Sequence, residues 1–134
     1  EMYSGWLPDW LLDRCEASGW THPTLIQRRV LKAAMTSSGS ESGSNTIAKH
    51  NSMVIQAQTG SGKTLTYLLP ILAQLEDRAA IQALIVVPTR ELGLQVATVA
   101  KRLLPPNMMA MSLLQGSMLK RQRAWAWAET PQVV

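Results

Sequence analysis

Phenylalanine is absent from the 134 residues, cysteine occurs once, and charged side chains make up only 16% of the chain. Each shortage excludes something. A lone Cys15 cannot close an internal disulfide or assemble a thiolate metal set, so a reduced, intracellular protein is the simple expectation. His22 and His50 stand apart from other metal-ligating residue types, and no metal centre is expected from them. No stretch approaches the ~18 apolar residues that span a bilayer, and no secretory pattern opens the chain, so no membrane partner is expected. Cytoplasm or nucleus follows as the expected location. Because the chain begins at Glu1 without an initiator, a targeting segment removed upstream stays open. Without phenylalanine, the seven methionines are expected to fill core, Met108, Met109 and Met111 among them.

What is present suits a single α/β domain. Hydrophobic residues make up 46% of the chain, enough for a sizeable core. Thirteen Lys and Arg against nine Asp and Glu leave a net charge of +4, which suits a polyanionic partner such as a nucleotide or RNA. The basic clusters Arg28-Arg29, Lys101-Arg102 and Lys120-Arg121-Arg123 are scattered, and each also reads as a solvated helix face. Trp125 and Trp127, in an Ala-rich stretch, are read as core or rim packing rather than as base-stacking platforms.

The segment Ala57-Gln58-Thr59-Gly60-Ser61-Gly62-Lys63-Thr64 carries the chemistry. An apolar run, Ser52 to Gln56, leads into it as a strand, and Leu65-Thr66-Tyr67-Leu68-Leu69 leaves it as a helix. Gly60 and Gly62 let the backbone curl so that successive N–H groups face phosphate oxygens, and the helix adds the positive end of its dipole. Lys63 would reach the β- and γ-phosphates, and the Thr64 hydroxyl would meet the accompanying Mg²⁺. The segment therefore implies a nucleoside triphosphate. Ala57 stands where glycine is usual.

Along the chain, apolar spacing predicts helices from about Pro8 to Ala17 and from Pro23, in the first turn, to about Met35. The apolar-free segment 36–46 is predicted to be a mobile surface loop inserted within the domain. Strands are predicted at 52–57, 82–87, 109–114 and 132–134, and helices at 63–76, 90–104 and 117–128. This alternation implies βαβ units in a doubly wound parallel sheet, with strands such as Ala83-Leu84-Ile85-Val86-Val87 covered on both faces. Ligands of such sheets sit at the carboxyl ends of strands, where Ala57 to Lys63 and Pro88 to Glu91 fall. Thr130-Pro131-Gln132-Val133-Val134 stops as a strand begins, which reads as a fragment.

Three further segments narrow the function. The first is Gly19-Trp20-Thr21-His22-Pro23-Thr24-Leu25-Ile26-Gln27. A glutamine amide carries a donor and an acceptor and can pair with the N6 and N7 edge of adenine. On the residues alone, an exposed Gln27 at a helix start is the plainer reading. The second is Pro88-Thr89-Arg90-Glu91-Leu92-Gly93-Leu94-Gln95, a strand-to-helix turn able to face phosphate, or equally an ordinary capped helix start. The third is Gln115-Gly116-Ser117, where Gly116 could let an amide meet a phosphate or simply make a turn.

Together with the phosphate loop, these segments resemble the DEAD-box family of ATP-dependent RNA helicases, over nearly the whole chain. The match is to the first part of the first RecA-like domain, a P-loop NTPase fold. The resemblance implies that Gln27, Thr24 and Trp20 of the Q motif, with Ala57, Gln58, Thr59, Gly60, Ser61, Gly62, Lys63 and Thr64, bind ATP. Lys63 and Thr64 would be catalytic, Thr64 through Mg²⁺. Pro88, Thr89, Arg90, Glu91 and Gly116 would contact single-stranded or short duplex RNA. Alanine is more usual at Gly93. The family's adenine-stacking aromatic, some seventeen positions before the Q motif, falls on Met2, with Tyr3 beside it as the candidate and Trp6 further on. The Asp-Glu-Ala-Asp motif and the second RecA-like domain are not in this chain, so the fragment alone is expected to be inactive and its parent to be a monomeric RNA-dependent ATPase. The alternative is an ATP-dependent RNA clamp or scaffold of the same fold without turnover.

Overall fold

The computed structural model describes residues 3, 5–36, 52–114 and 119–134. Most of the 36–46 segment, Met2, and the Gln115-Gly116-Ser117 turn lie outside them. The chain forms two compact units, Glu1–Gln74 and Leu75–Val134.

The first unit holds three helices, α1 (Asp9–Ala17), α2 (Leu25–Thr36) and α3 (Lys63–Leu72). α1 ends where Gly19 adopts φ +77°, so that the Trp20 N–H reaches Cys15 O at 2.9 Å and the Gly19 N–H reaches Glu16 O at 2.9 Å. That six-to-one closure is what a glycine after a helix end permits. Pro23 lies outside the helix rather than in its first turn. Thr24 is the capping residue, with its carbonyl accepting from Arg28 N–H at 3.0 Å. α2 packs against α3. The core consists of Leu11 and Cys15 from α1, Val30 and Leu31 from α2, and Leu68, Leu69 and Leu72 from α3. Leu11 and Cys15, Leu68 and Leu72, and Leu69 and Leu72 stand three or four residues apart, as do buried Gln27 and the Val30-Leu31 pair, the spacing that puts side chains on one helix face.

α3 stops at Leu72, four residues short of the expected end. Pro70 has no N–H to return to Thr66 O, and its ring crowds the preceding turn. The last carbonyls are met instead by Ala73 N–H on Leu69 O at 2.9 Å and by the Gln74 side-chain amide on Pro70 O at 2.8 Å.

The second unit alternates extended backbone with α4 (Arg90–Leu103) and α5 (Leu119–Glu129). Among the described residues, pairing is limited to two isolated parallel bridges, Ala83 with Val133 and Ala110 with Val133. The segment 132–134 thus lies between 82–85 and 109–111. Val134 N–H reaches Ala83 O at 3.0 Å, and Met111 N–H reaches Val133 O at 2.9 Å. Parallel neighbours joined through α4 and α5 are the βαβ arrangement the sequence predicts, but continuous ladders are not formed. Nor are both faces of the apolar runs covered. Leu84 and Val86 are 71% and 85% exposed while Ile85 and Val87 are half-buried, the two-residue alternation of a one-sided strand. Met109 is also exposed, whereas Met108 and Met111 are half-buried.

Gln132 is the buried polar anchor of this unit. Its Oε1 accepts from Met109 N–H at 2.7 Å and its Nε2 donates to Arg78 O at 2.8 Å. Replacing it by leucine would take the side-chain partner from the Met109 N–H, whereas Arg78 O keeps the Ala80 N–H at 2.9 Å. Gln132→Leu is expected to cost about 1–3 kcal/mol, read as a lower midpoint in urea or thermal unfolding. An unchanged midpoint would show that water meets the Met109 N–H.

Candidate functional site

The phosphate-loop candidates fall in the first unit. Residues 52–58 form neither helix nor the strand expected at 52–57; the chain then turns through Thr59 and Gly60 and enters α3 at Lys63. Both turning glycines have positive φ, +77° at Gly60 and +82° at Gly62. The Ser61 N–H and hydroxyl both donate to Gln58 O, at 3.3 and 2.7 Å, which tightens the curl. Gly62 caps α3 with no side-chain partner for the first-turn amides, and no acidic residue occupies that turn. A helix start of this kind presents donors and a partial positive charge to an anion. Lys63 folds back across the loop, its Nζ donating to Ala57 O at 2.6 Å. One of three ammonium hydrogens is used there, so two stay available to phosphate oxygens.

Three donors converge on the Gly62 carbonyl. Thr66 N–H lies at 3.1 Å, Thr66 Oγ1 at 2.9 Å and Gln27 Nε2 at 3.1 Å. The last of these joins the Q-motif segment to the phosphate loop across 35 residues of sequence. It also explains why only glycine fits. A Cβ at Gly62 would stand 2.5 Å from Gln27 Nε2.

Gln27 is 2% exposed, not the solvated residue of the plainer reading. Its Oε1 accepts from Thr24 N–H at 2.9 Å and from the Tyr3 hydroxyl at 2.8 Å. The amide orientation is unambiguous, since a backbone N–H can only donate and the Gly62 carbonyl can only accept. Both Oε1 lone pairs are therefore occupied, and one Nε2 hydrogen is unspent. Thr24 itself is exposed, with its hydroxyl 3.4 Å from Gln27 N–H, while Trp20 is half-buried.

Tyr3 and Tyr67 are the residues that sequence reasoning underused. The Tyr3 ring is 1% exposed, which leaves no open face for stacking, and its hydroxyl instead holds Gln27. Burial, with a smaller contribution from nearby Cys15, pushes the Tyr3 hydroxyl up to about 12. Burial also lifts the Cys15 thiol to about 11, well away from a nucleophilic thiolate. Tyr67, one helical turn after Thr64, is raised by burial and pulled back by a side-chain hydrogen bond from Thr64. Among the described residues, no group of three or more His, Cys, Asp or Glu could hold a metal. Thr64 could thus supply one position to Mg²⁺, with phosphate and water supplying the rest.

The second unit holds Pro88, Thr89, Arg90 and Glu91, all exposed. Thr89 caps α4, its Oγ1 accepting from Leu92 N–H at 3.2 Å. Gly93 is buried where the resembled motif prefers alanine, and the reason is local. An added Cβ would meet Leu114 Cδ2 at 2.8 Å and Val87 Cγ2 at 3.2 Å. Gly116 lies outside the described residues.

Comparison with known proteins adds the family. The model of the DEAD/DEAH box helicase family matches residues 24–134. The chain is 41% identical over its whole length to DEAD-box ATP-dependent RNA helicase 58, chloroplastic, of Oryza sativa subsp. japonica, covering 28% of that protein. It is 36% identical over 96% of its length to DEAD-box ATP-dependent RNA helicase 47, mitochondrial, of Arabidopsis thaliana, covering 24% of it. Among solved structures, the RNA helicase Prp28 from Chaetomium thermophilum bound to ADP is 30% identical, with a TM-score of 0.71, over 95% of this chain and 29% of that one. The chain thus spans about a quarter of the length of these relatives.

The Tyr3–Gln27 bond carries a pH signature. Tyr3 has a raised folded value, about 12 against an ordinary 10, so its neutral form stabilises the fold fully below pH 10 and loses that contribution as pH rises to 12. Cys15 acts likewise between 9 and about 11. Thermal stability is therefore expected to fall from pH 9 upward. Tyr3→Phe should lose about 0.5–1.5 kcal/mol at neutral pH and show a shallower decline above pH 10. The same slope in both proteins would contradict the burial of Tyr3.

Proposed function

Since this chain belongs to the DEAD/DEAH box helicase family, we propose that it is the ATP-binding part of an ATP-dependent RNA helicase. In this reading it belongs to a RecA-like P-loop NTPase domain with a doubly wound parallel sheet. A second RecA-like domain and the Mg²⁺-binding carboxylates would lie elsewhere in the full-length protein. The observation that carries the reading is the Gln27 Nε2 bond to Gly62 O, which ties a base-reading amide to a phosphate cradle.

In this reading the α3 amides from Gly62 onward and Lys63 hold the phosphates, and Thr64 offers its oxygen to Mg²⁺. Gln27 reads adenine by exchange. Its spare Nε2 hydrogen is free to meet N7, and Oε1 accepts the exocyclic amine in place of the Tyr3 hydroxyl. ATP with Mg²⁺ supplies the transferable phosphoryl group. The exposed turn Pro88 to Glu91 grips the RNA sugar-phosphate backbone, with Gly116 as a further contact, so affinity should be sequence-independent and salt-sensitive. The organellar names of both relatives favour a plastid or mitochondrion over cytoplasm or nucleus as the site of action.

In the full-length protein, Gln27→Ala is expected to weaken ATP about tenfold and GTP far less, erasing any preference between them. Equal affinity for the two nucleotides in the unmutated protein would remove the adenine role. Lys63→Ala should lower ATP affinity about 10- to 100-fold, the worth of a charge-assisted hydrogen bond, and abolish RNA-stimulated hydrolysis. Undiminished turnover in that variant would overturn the phosphate-loop role.

A further inference from the structure

α5 turns both of its tryptophans to solvent. Trp125 is 55% and Trp127 is 81% exposed, against the core or rim packing expected from sequence. The same helix carries Lys120, Arg121 and Arg123 against a single acid, Glu129, its last residue. Among the described residues, neither Lys101 nor any of these three cations has an ion-pair partner.

The sequence Arg121-Gln122-Arg123-Ala124-Trp125-Ala126-Trp127 places each tryptophan four residues after an arginine, on the same helix side. For the first pair the contact is formed, with the Arg121 guanidinium carbon 5.4 Å from the centroid of the Trp125 ring. The indole is thereby held while much of its surface stays open. That pair faces a groove of about 470 Å³, shared with Lys101 from α4, Gln122, and the methionines Met109 and Met111. Every one of these residues lies in the second unit.

We propose that this groove between α4 and α5 binds a single-stranded segment of RNA, with a base stacked on Trp125 and phosphates met by Lys101 and Arg121. The inference rests on the RNA-helicase reading above and adds a contact that the Pro88-to-Glu91 turn does not include. Two features favour nucleic acid over a protein partner. Trp125 and Trp127 are two residues apart and project to different sides, so α5 offers no continuous apolar stripe for a partner helix. An aromatic face beside unpaired cations is instead the pairing that bases and phosphates require.

The test measures binding of a short labelled oligouridylate, and separately of ATP, to the full-length protein at low salt, with folding checked by circular dichroism. Trp125→Ala is expected to weaken RNA binding about 5- to 150-fold, the range one stacked base supplies, and to leave ATP binding unchanged. Trp125→Phe should restore most of that loss. Trp127→Ala, which removes an indole from the other side of the same helix, should change RNA affinity less than about threefold. No loss in Trp125→Ala, or an equal loss in both alanine variants, overturns the groove and leaves the helicase reading standing. An unmutated protein that binds no RNA overturns both. Should Trp125→Ala fail to fold, fluorescence decides. RNA should quench the unmutated protein more than Trp125→Phe, and equal quenching overturns the assignment. Capture of polyglutamate that depends on Arg121 but not on Trp125 would assign the groove to an acidic protein and overturn it as well.

Discussion

One backbone carbonyl, that of Gly62, organises the loop before α3. It accepts from the α3 backbone, from the Thr66 hydroxyl and from the Gln27 amide, and it can do so only because Gly62 turns at φ +82°. A side chain there would be strained by the backbone and would collide with Gln27. The glycine is thus required twice, once for the curl of the loop and once for the approach of the Gln27 side chain. That double requirement couples two segments that the sequence keeps 35 residues apart.

The coupling gives Gln27 a defined resting position. Its oxygen is saturated by Thr24 and Tyr3, and its nitrogen holds Gly62 with one hydrogen to spare. A buried amide so fully paired is rigid, because losing any partner without replacement leaves a desolvated polar group. A ligand that offers both a donor and an acceptor can replace what it displaces, whereas one offering the opposite pattern cannot. Selectivity of this sort comes from the cost of the unpaired alternative more than from the strength of the new bonds.

The helices and the phosphate loop were largely legible in sequence because their signals are local. Glycines at turns, Thr89 as a cap, and apolar residues at three- and four-residue spacing all act within a few positions. Where local reading failed, the cause was a contact from outside the window or a rule left unapplied. The partners of Gln27 include Tyr3, 24 residues away, and no periodicity points to them. Tyr3 was read as a stacking candidate, yet its ring is enclosed and its hydroxyl does the work. α3 ends short of its apolar pattern, where the Gln74 side-chain amide takes the Pro70 carbonyl that a further helical N–H would have met. The apolar run at 83–87 suggested strands buried on both sides, but hydrophobicity cannot report which face is covered, and Leu84 and Val86 point outward.

Trp125 and Trp127 show the same limit from the other direction. A tryptophan in an Ala-rich helix is most often core, yet from Lys120 to Glu129 only Gln122 and Ala126 are half-buried and the rest is exposed. Those two residues stand four apart, on a side of the helix that neither tryptophan shares. What the helix spends its aromatic and cationic residues on must then be read from their mutual geometry. Arg121 over Trp125 at 5.4 Å, with Lys101 across the groove, is an arrangement of charge and open ring that packing does not demand.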